Sequence, residues 1–392
     1  MKMHTRYGQA PYFCTRMPNQ YQICSRCVMD TTDPLIFFDA KGYCNHCTEF
    51  LDKRARHQYR GAESDEALKA IVAEMKQAGS GKEYDCVVGL SGGIDSCYAA
   101  YICRQHGLRV LAVHMDNGWN SEEAVQNIRT IAEKLHVGYE SYVLDWEEFK
   151  DLQLAFLKAS VPEADTPTDI AILASLHKVA AQYGVKYIIS GGNFATEGIL
   201  PKCWHYNAKD LRYFNHIQKK FGTQILRKFP TFGFQKEMYY KLVKRMKMVY
   251  MLNFVPYDKE ETMAFLKKEL DWKYYGGKHY ESKYTGFIQS YYLFEKFGID
   301  YRRATLSSQI CAGAIERDEA MNQLVSKPYD EVKTAEEKKY IAKKLGISLE
   351  EFEAVLHLPA HWYWEYPNDE KRLSFIYNTY RKLFGKEKLA SF

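Results

Sequence analysis

The sequence lacks any apolar run long enough to span a membrane. Its first thirteen residues, MKMHTRYGQAPYF, also lack the apolar stretch of a signal peptide. We therefore expect a cytoplasmic protein with no membrane partner, in a compartment where thiols stay reduced. On that basis the 10 cysteines are read as metal ligands, reactive thiols or small core residues, and not as disulfides.

Strong net charge and two kinds of catalytic nucleophile are missing as well. The chain carries 54 Lys and Arg against 49 Asp and Glu, a balance of +5 that permits anionic substrates but does not by itself indicate nucleic acid. Residue 2 is Lys, so no processed N-terminal cysteine is expected, and no G-x-C-x-G elbow occurs. Cys311 lies in SQICAG, which does not fit such an elbow, and is predicted to be structural. We therefore expect no glutaminase activity in this chain.

What the sequence does contain is an alternation of short apolar runs and helical patterns between residues 83 and 195. The apolar runs are rich in β-branched residues and predict strands at 84–90, 109–115, 141–146 and 185–190. Continuous apolar strands that alternate with helices are typical of a parallel sheet covered on both faces. The fold class is thus predicted to be α/β with a doubly wound parallel sheet, whose ligands bind beyond the carboxyl ends of the strands.

Composition divides the chain into four predicted parts. The N-terminal part is rich in cysteine, the second holds the alternating pattern, the third is basic and aromatic, and the last is mainly helical. Thr334 and Ser348 each precede a Glu at the spacing of a helical capping box and predict two helix starts in the last part. The predicted boundaries are 1–60, 61–200, 201–330 and 331–392.

A glycine-rich loop, SGGIDS at 91–96, follows the first predicted strand and opens a helix. Glycines let backbone N–H groups approach a ligand closely, and a helix N-terminus adds unpaired donors and partial positive charge. The loop has no Lys-Ser/Thr pair after its glycines and is not a Walker A loop, nor is it G-x-G-x-x-G. Asp95 can cap the helix or help to hold Mg²⁺ through water. The sequence thus predicts a phosphate site formed by Ser91, Gly92, Gly93, Asp95 and Ser96.

Two C-x₂-C pairs, with sixteen residues between them, lie in the N-terminal part. This spacing suits two turns that close on one tetrahedral Zn²⁺, which replaces the core that so short a segment cannot build. Four protein ligands leave no open coordination position, so the predicted zinc is structural. His46 is predicted to be a bystander. The predicted ligands are Cys24, Cys27, Cys44 and Cys47.

The loop resembles the pyrophosphate loop of the N-type ATP pyrophosphatases, or PP-loop superfamily. This resemblance implies an adenine-nucleotide-hydrolase-like fold and cleavage of ATP between the α and β phosphates. In that superfamily the adenosine pocket usually lies at the end of the second strand, here at HMDNGW, which makes Asp116 and Asn117 candidates. A second ATP-facing loop usually follows the fourth strand, which here ends in SGGN. The resemblance therefore implies ATP-binding roles for Gly191, Gly192 and Asn193.

The third part is strongly basic, with eleven Lys or Arg and two Asp or Glu from Lys209 to Lys247. A solvated helical face, a nucleic-acid surface and a docking face for a partner or anionic substrate all remain open. Further on, residues 274–324 are dense in basic and hydroxyl side chains that follow no simple amphipathic stripe.

The zinc-knuckle pattern, the S-G-G-x-D-S loop and the segment GGKHYES…RRA…LSS…RDEA together resemble the N-acetyl sugar amidotransferases. That resemblance implies conversion of an acetamido group on a nucleotide-linked sugar into an acetamidino group, for O-antigen or nonulosonic-acid synthesis. It also implies ammonia from a separate glutaminase and a cyclase-like subunit, with nucleic acid an improbable partner. Adenylation of the carbonyl would need Asp95 with Mg·ATP, cations from Lys278, Lys283 or Arg303, and a proton acceptor, His279 or Glu281.

Two other functions remain open. A tRNA-thiolating enzyme can also combine zinc knuckles with a pyrophosphate loop. Ile94 stands where many thiolases carry Lys, and no C-x₂-C pair lies near the predicted ATP domain. A non-catalytic nucleotide-binding scaffold would bind ATP without turnover, although the intact loop favours an enzyme.

Overall fold

A computed structural model describes residues 21–57, 61–276 and 280–384 of the chain. Two helices precede the sheet, α1 (Asn45–His57) and α2 (Ala62–Ala78). Within the described ranges, no helix is both long enough and apolar enough to cross a membrane.

Five parallel strands form the central sheet. They are β1 (Cys86–Gly89), β2 (Val110–Asp116), β3 (Gly138–Val143), β4 (Tyr187–Ser190) and β5 (Lys247–Tyr250). Their order is β3-β2-β1-β4-β5, so the chain proceeds outward from β1 to β3 and then restarts on the other side of β1 with β4. The topological switch point therefore lies between β1 and β4, where ligands of such sheets bind. The predicted doubly wound α/β fold is confirmed.

Helices cover both faces of this sheet. Those that follow β1 to β5 in the chain are α3 (Ile94–Gln105), α4 (Glu122–Lys134), α5 (Trp146–Ala159), α6 (Thr166–Gln182), α7 (Phe194–Glu197), α8 (Leu211–Phe221), α9 (Phe234–Met238) and α10 (Lys259–Leu270). Val88 packs with the α3 side of the sheet, while its neighbour Val87 packs with Val179 of α6 on the other side. Alternate strand residues thus enter two different cores, which explains the continuous apolar runs in the sequence.

The C-terminal part is helical, as predicted. It contains α11 (Lys283–Phe287), α12 (Leu293–Phe297), α13 (Arg302–Ala312), α14 (Arg317–Gln323), α15 (Glu331–Leu345), α16 (Leu349–Leu356) and α17 (Glu370–Phe384). Short π-helical turns occur at Tyr239–Val243 and Ile288–Tyr292, and 3₁₀ turns at Met251–Phe254 and Tyr363–Glu365. Helices α11, α12, α13, α15 and α16 share one apolar core with α5, α8 and the four cysteines of the N-terminal part.

Two strands differ from the sequence prediction. The third strand was expected at 141–146 but lies three residues earlier, because Asp145 caps α5 and Trp146 is already helical. The fifth strand, Lys247–Tyr250, was not expected, since it is short and begins at the last residue of the basic segment. It places part of the sheet outside residues 61–200, the range predicted for the ATP-binding domain.

Candidate functional site

The loop at 91–96 lies at the switch point and has the conformation that an anion site requires. Gly92 has φ +81°, a left-handed conformation that glycine adopts without strain. Ser96 Oγ accepts the N–H of Ser91 at 3.2 Å and lies 3.0 Å from Ser91 Oγ, so the two serines tie the ends of the loop together. Gly93 is the N-cap of α3 and offers no side chain to its first turn. The N–H groups of that turn therefore face the cleft as donors for phosphate.

Residues distant in sequence hold the loop in place. The carbonyl of Gly92 accepts hydrogen bonds from Trp272 Nε1 (2.9 Å) and from Asn127 Nδ2 (3.2 Å). A Cβ on Gly92 would lie 2.4 Å from the carbonyl oxygen of Ala124 in α4. These two residues were not predicted from the sequence. Asn127 is 35 residues and Trp272 is 180 residues from Gly92 in the chain, and no local sequence pattern identifies partners at such distances.

The second glycine pair contacts the first loop directly. A Cβ on Gly191 would lie 2.7 Å from the backbone nitrogen of Ser96, so only glycine allows β4 to end against the start of α3. Gly192 donates its N–H to Ser190 Oγ at 3.1 Å. The Asn193 side chain caps α7 by accepting the N–H of Thr196 at 2.9 Å. Of this predicted set, Gly191 is the residue that touches the phosphate loop.

Two acidic side chains approach the loop. Tyr257 donates its hydroxyl to Asp95 Oδ1. Burial, followed by the Asp95 carboxylate, raises the pKa of Tyr257 above its usual range, which keeps the phenol protonated as a donor. Glu281 lies on the opposite side, with its Oε1 3.4 Å from the position of a Cβ on Gly93. Asp95 and Glu281, both predicted from sequence, are therefore brought together at the loop.

A cleft with an empty volume of about 490 Å³, part of it open to solvent, lies over the loop. Lys259, the first residue of α10, also lines the cleft, although nothing in the sequence distinguishes this lysine from other helical lysines. In the described part of the chain the cleft is lined by Ser91, Gly93, Ile94, Asp95, Ser96, Thr196, Tyr257, Lys259, Tyr275, Glu281, Thr305 and Gln309.

Asp116 and Asn117 lie at the end of β2 as expected, but their side chains organise the turn that follows. Asp116 Oδ1 accepts the N–H of Gly118 at 2.9 Å, and Asn117 Oδ1 accepts the N–H of Trp119 at 3.1 Å. Asn117 is almost fully buried. These contacts shape the rim of the sheet and leave an adenosine contact at these residues as a prediction.

Two of the predicted cations, Arg303 and Lys283, do not line the cleft. Arg303 pairs with Asp30 at 3.0 Å and donates to the carbonyl of Val28 at 2.7 Å, so it attaches the cysteine-rich part instead of binding pyrophosphate. That expectation was wrong because the arginine points to the other face of α13. The ammonium of Lys283 lies 4.9 Å from the ring centroid of Tyr340 and does not line the cleft. Lys278 and His279 fall outside the described residues.

The four predicted cysteine ligands form a compact centre. Their sulfurs all lie within 4.8 Å of one another and are fully buried. Cys24 Sγ is 3.8 Å from Cys47 Sγ, and Cys27 Sγ is 3.6 Å from Cys44 Sγ. A tetrahedral ion with Zn–S bonds of about 2.3 Å requires sulfurs about 3.8 Å apart. The donor set therefore fits a single metal ion with four thiolate ligands.

Neighbouring groups support this assignment of the cysteines. The N–H of Cys44 points to Cys24 Sγ at 3.2 Å, as expected for a thiolate acceptor. His46 bonds to Asp33 instead of joining the sulfurs, so its prediction as a bystander is consistent with the geometry. The adjacent Cys47 sulfur, together with burial, raises the pKa of Cys311, as expected of a structural cysteine.

Helix α13 joins the cysteine centre to the cleft. On one face, Ser307 Oγ accepts the N–H of Val28 at 3.2 Å, and Cys311 lies beside the sulfurs. On the other face, Thr305 and Gln309, four residues apart, line the cleft. The metal centre thus supports a helix whose opposite face is a wall of the candidate active site.

Comparison with known families finds two matched segments. Residues 81–248 match the family described as thiamine biosynthesis protein (ThiI). Residues 281–383 match the family described as LPS biosynthesis protein WbpG-like, C-terminal domain. The first segment supplies the loop and the sheet, and the second supplies Glu281, Thr305 and Gln309 to the cleft.

Curated relatives match part of the chain. The tRNA-specific 2-thiouridylase MnmA of Clostridioides difficile is 28% identical over 189 residues, which cover 41% of this chain and 51% of the relative. A probable mitochondrial tRNA-specific 2-thiouridylase of Caenorhabditis elegans is 27% identical over 139 residues, which cover 32% of this chain and 36% of the relative. The chain therefore spans about half, or less, of these relatives.

Solved structures include the U34-tRNA thiolase NcsA of Methanococcus maripaludis with its [4Fe-4S] cluster, 16% identical with a TM-score of 0.31, covering 80% of this chain and 95% of that one. An NH3-dependent NAD synthetase of Campylobacter jejuni is 16% identical with a TM-score of 0.28, covering 52% of this chain and 84% of that one. The S-G-G-x-D-S loop at the switch point of a parallel sheet, together with the two family matches, places the chain in the PP-loop superfamily, with a WbpG-like C-terminal domain.

Proposed function

We propose that the protein is an ATP-dependent amidotransferase that converts the acetamido group of a nucleotide-linked N-acetyl sugar into an acetamidino group. One observation carries the proposal: the WbpG-like segment is part of the cleft wall and not a separate appendage. Glu281 reaches Gly93 of the phosphate loop, and Thr305 and Gln309 line the same cleft. The described lipopolysaccharide context of that family supports an O-antigen or nonulosonic-acid sugar as substrate.

The chemistry follows from the positions of the groups. The carbonyl oxygen of the acetamido group attacks the α phosphorus of ATP, and pyrophosphate leaves with the electrons of the α–β bond. Ammonia then attacks the carbon, AMP departs with the former carbonyl oxygen, and one proton is released. The N–H groups of the loop and the ammonium of Lys259 stabilise the pyrophosphate, and Glu281 lies where it can accept the proton.

Two metal ions belong to this proposal. Asp95, at the start of α3 beside the loop, is the residue that would hold Mg²⁺ through water; the ion would neutralise phosphate charge. Zinc is proposed for the cysteine centre because four closely spaced sulfurs enclose one ion. A cluster of several irons would need its ligands farther apart.

Ammonia is proposed to come from a separate glutaminase through a cyclase-like subunit. All nine cysteines in the described residues are buried, so none is exposed as a glutaminase nucleophile. The basic segment at 209–247 remains a candidate docking surface for such a partner. Part of it is internal, since Lys209 is buried and pairs with Glu237 at 2.9 Å.

Transfer of sulfur to tRNA is the second candidate, because the curated relatives described above are named as tRNA thiouridylases. Sulfur transfer by a persulfide needs an accessible thiol near the activated base. No cysteine lines the cleft among the described residues. Cys97, in the helix that follows the loop, is buried, and burial raises the pKa of its thiol. These observations favour amidation.

The test is a measurement of AMP and pyrophosphate with Mg·ATP, an ammonium salt and candidate UDP-N-acetyl sugars. We expect AMP that depends on the sugar, and a product one mass unit lighter because oxygen is replaced by NH. AMP formation that requires tRNA and a sulfur donor would instead identify a thiolase. Absence of AMP under every condition would indicate a non-catalytic scaffold.

Lys259→Met provides the site-specific control. It should reduce AMP formation by about tenfold or more, because the leaving pyrophosphate loses a charge-assisted contact. Lys268→Met removes a lysine from the same helix where the side chain is 83% exposed, and should leave the rate unchanged. If the two variants formed AMP at the same rate, Lys259 would have no role in the mechanism.

A further inference from the structure

A second acidic group lies beside the cleft, at the start of α6. Asp165 is the N-cap residue of that helix, yet its carboxylate does not cap the helix. It accepts hydrogen bonds from Thr168 Oγ1 and Thr285 Oγ1, both at 2.6 Å. Asp169 lies one turn further along α6, with His205 Nε2 at 3.8 Å from its carboxylate. The Asp169 side chain is 36% exposed, whereas the carboxylate of Asp165 is enclosed by its two threonine donors.

The acidic pair is connected to the cleft through two segments. Thr285, which bonds Asp165, lies four residues after Glu281 of the cleft. The charges of Glu197 and Asp169 both act on the phenol of Tyr301, four residues before Thr305 of the cleft. The two segments that meet the acidic pair therefore continue into the wall of the cleft.

Within the described part of the chain, no cationic side chain pairs with either carboxylate. Among the described residues, neither forms an ion pair with a lysine or arginine within 4.0 Å. Burial raises the pKa of Asp165 and of Asp169, and the charge of Asp169 raises that of Asp165 further. Burial also lowers the pKa of His205, so the imidazole is neutral near pH 7 and does not compensate the charge. Two adjacent carboxylates without a counter-ion attract a small cation.

An unpartnered polar atom points to a ligand at this place. Tyr284 is fully buried, and its hydroxyl has no hydrogen-bond partner among the described residues. The Asp165 carboxylate acts on that phenol, which shows that the two groups are close. Gln153 is also fully buried, and a hydrogen bond from its side chain to Asp165 favours the ionised form of that carboxyl. A buried hydroxyl without a partner is normally satisfied by a bound molecule.

We propose that Asp165, Asp169 and Tyr284 form a binding site for ammonium, from which ammonia attacks the activated carbonyl. The inference rests on the proposed function, because it names the place of one of its substrates. Ammonium donates four hydrogen bonds and carries one positive charge, which matches two carboxylates and a phenol oxygen. Its conversion to ammonia transfers one N–H proton to a carboxylate, which becomes a neutral acid, and the nitrogen keeps its electron pair for attack.

The first experiment needs no turnover. The unfolding temperature of the protein is measured in NH4Cl, NaCl and KCl at equal ionic strength. We expect stabilisation by NH4Cl with a half-effect at millimolar concentration, and no such effect of NaCl or KCl. Asp169→Asn should remove the ammonium effect. Asp65→Asn, the same substitution at an exposed first-turn position of α2, should retain it.

The second experiment uses turnover with the sugar. Asp169→Asn should raise the KM for ammonium by about tenfold or more, since a charge-assisted hydrogen bond is lost. The KM values for ATP and for the sugar should stay within about twofold of those of the native protein. Asp169 is the chosen position because its carboxylate, unlike that of Asp165, accepts no hydrogen bond from Thr168 or Thr285.

Other outcomes overturn the inference. Equal stabilisation by KCl would identify a general site for monovalent cations. Stabilisation by MgCl2 and not by NH4Cl would identify a site for divalent cations. If Asp169→Asn raised the KM for the sugar and not the KM for ammonium, the acidic pair would belong to a carbohydrate site. Ammonium binding without any sugar-dependent AMP would contradict the proposed function while leaving the ammonium site in place, so the two failures are distinguishable.

Discussion

At the scale of single residues, Gly92 is the position where backbone geometry and ligand binding coincide. Its φ of +81° disfavours any side chain, and a Cβ would also meet the Ala124 carbonyl at 2.4 Å. The same carbonyl oxygen of Gly92 that fixes the loop is bonded by Trp272 and Asn127. A change here therefore moves the N–H groups that would bind phosphate.

We predict that Gly92→Ala destabilises the protein by several kcal/mol and abolishes ATP binding, because strain and a backbone clash act together. The matched control is Gly298→Ala. Gly298 has φ +67° but open space around its Cβ position, so only the conformational cost of about 1–2 kcal/mol is expected. Urea unfolding and nucleotide titration measure both effects. Equal losses in the two variants would show that the Ala124 contact does not matter.

Glu163, just before α6, leads to a prediction about pH. It is buried, its Oε1 accepts the hydroxyl of Tyr213 at 2.5 Å, and its Oε2 has no partner among the described residues. Burial raises the pKa of Glu163 to about 7 from 4.5. The folded state therefore binds more protons than the unfolded state between these values, so this group lowers stability as the pH rises from about 4.5 to about 7.

Glu163→Gln should reduce that loss, and at pH 8 the variant is expected to be more stable than the native protein by up to about 3 kcal/mol. At pH 5 the two proteins should be similar, because the native carboxyl is then protonated. Urea unfolding across this pH range is the measurement. Parallel stability curves for the two proteins would contradict the prediction.

At the scale of elements, helix α13 contacts different parts of the molecule on its two opposite faces. Arg303, Ser307 and Cys311, spaced four apart, contact the cysteine-rich part. Thr305 and Gln309 line the cleft from the other face. The cysteine centre and the cleft therefore contact opposite faces of one helix.

We predict one zinc per chain by elemental analysis, and loss of that zinc in Cys24→Ser together with a lower unfolding temperature. ATP affinity should also fall, by about tenfold, because α13 loses its support. Cys103→Ala changes a buried cysteine of the sheet domain and should retain the zinc. Iron in place of zinc would refute the metal assignment. Zinc loss without a change in ATP affinity would refute the role of α13.

The elements also show what sequence can and cannot predict. The phosphate loop, the cysteine centre and four strands were predictable, because glycine spacing, C-x₂-C spacing and apolar runs are local patterns. Ser348 and Glu351 form the predicted capping box, with the Glu351 N–H 3.1 Å from Ser348 Oγ. Thr334 does not start a helix, because Asp330 caps α15 four residues earlier.

The less predictable parts depend on contacts between distant segments. Trp272 and Asn127 fix the loop only because α4 and the end of α10 pack beside it. Arg303 looked like a ligand for pyrophosphate, but the face of α13 on which it lies could not be deduced before its packing was known. No local sequence pattern identified Lys259 as a residue of the cleft.

At the scale of the whole molecule, the N-terminal and C-terminal parts form one body around the sheet. The four cysteines share a single apolar core with the C-terminal helices and α5. The ammonium of Lys344 in α15 lies 4.6 Å from the ring centroid of Trp146 at the start of α5, which adds a contact between distant parts of the chain. Segments that match two different families thus contribute to one cleft.

Because α13 contacts both the cysteine centre and the cleft, zinc binding can report on occupancy of the cleft. If metal binding favours the arrangement of α13 that accepts ATP, then by thermodynamic reciprocity ATP must favour the arrangement that retains metal. We therefore predict that ATP raises the affinity of the protein for zinc in equilibrium competition with a coloured chelator, with a dose dependence that follows occupancy of the cleft. Ligands of the cleft could then be ranked by this competition before the sugar is identified, whereas a zinc affinity independent of ATP would show that the two sites are uncoupled.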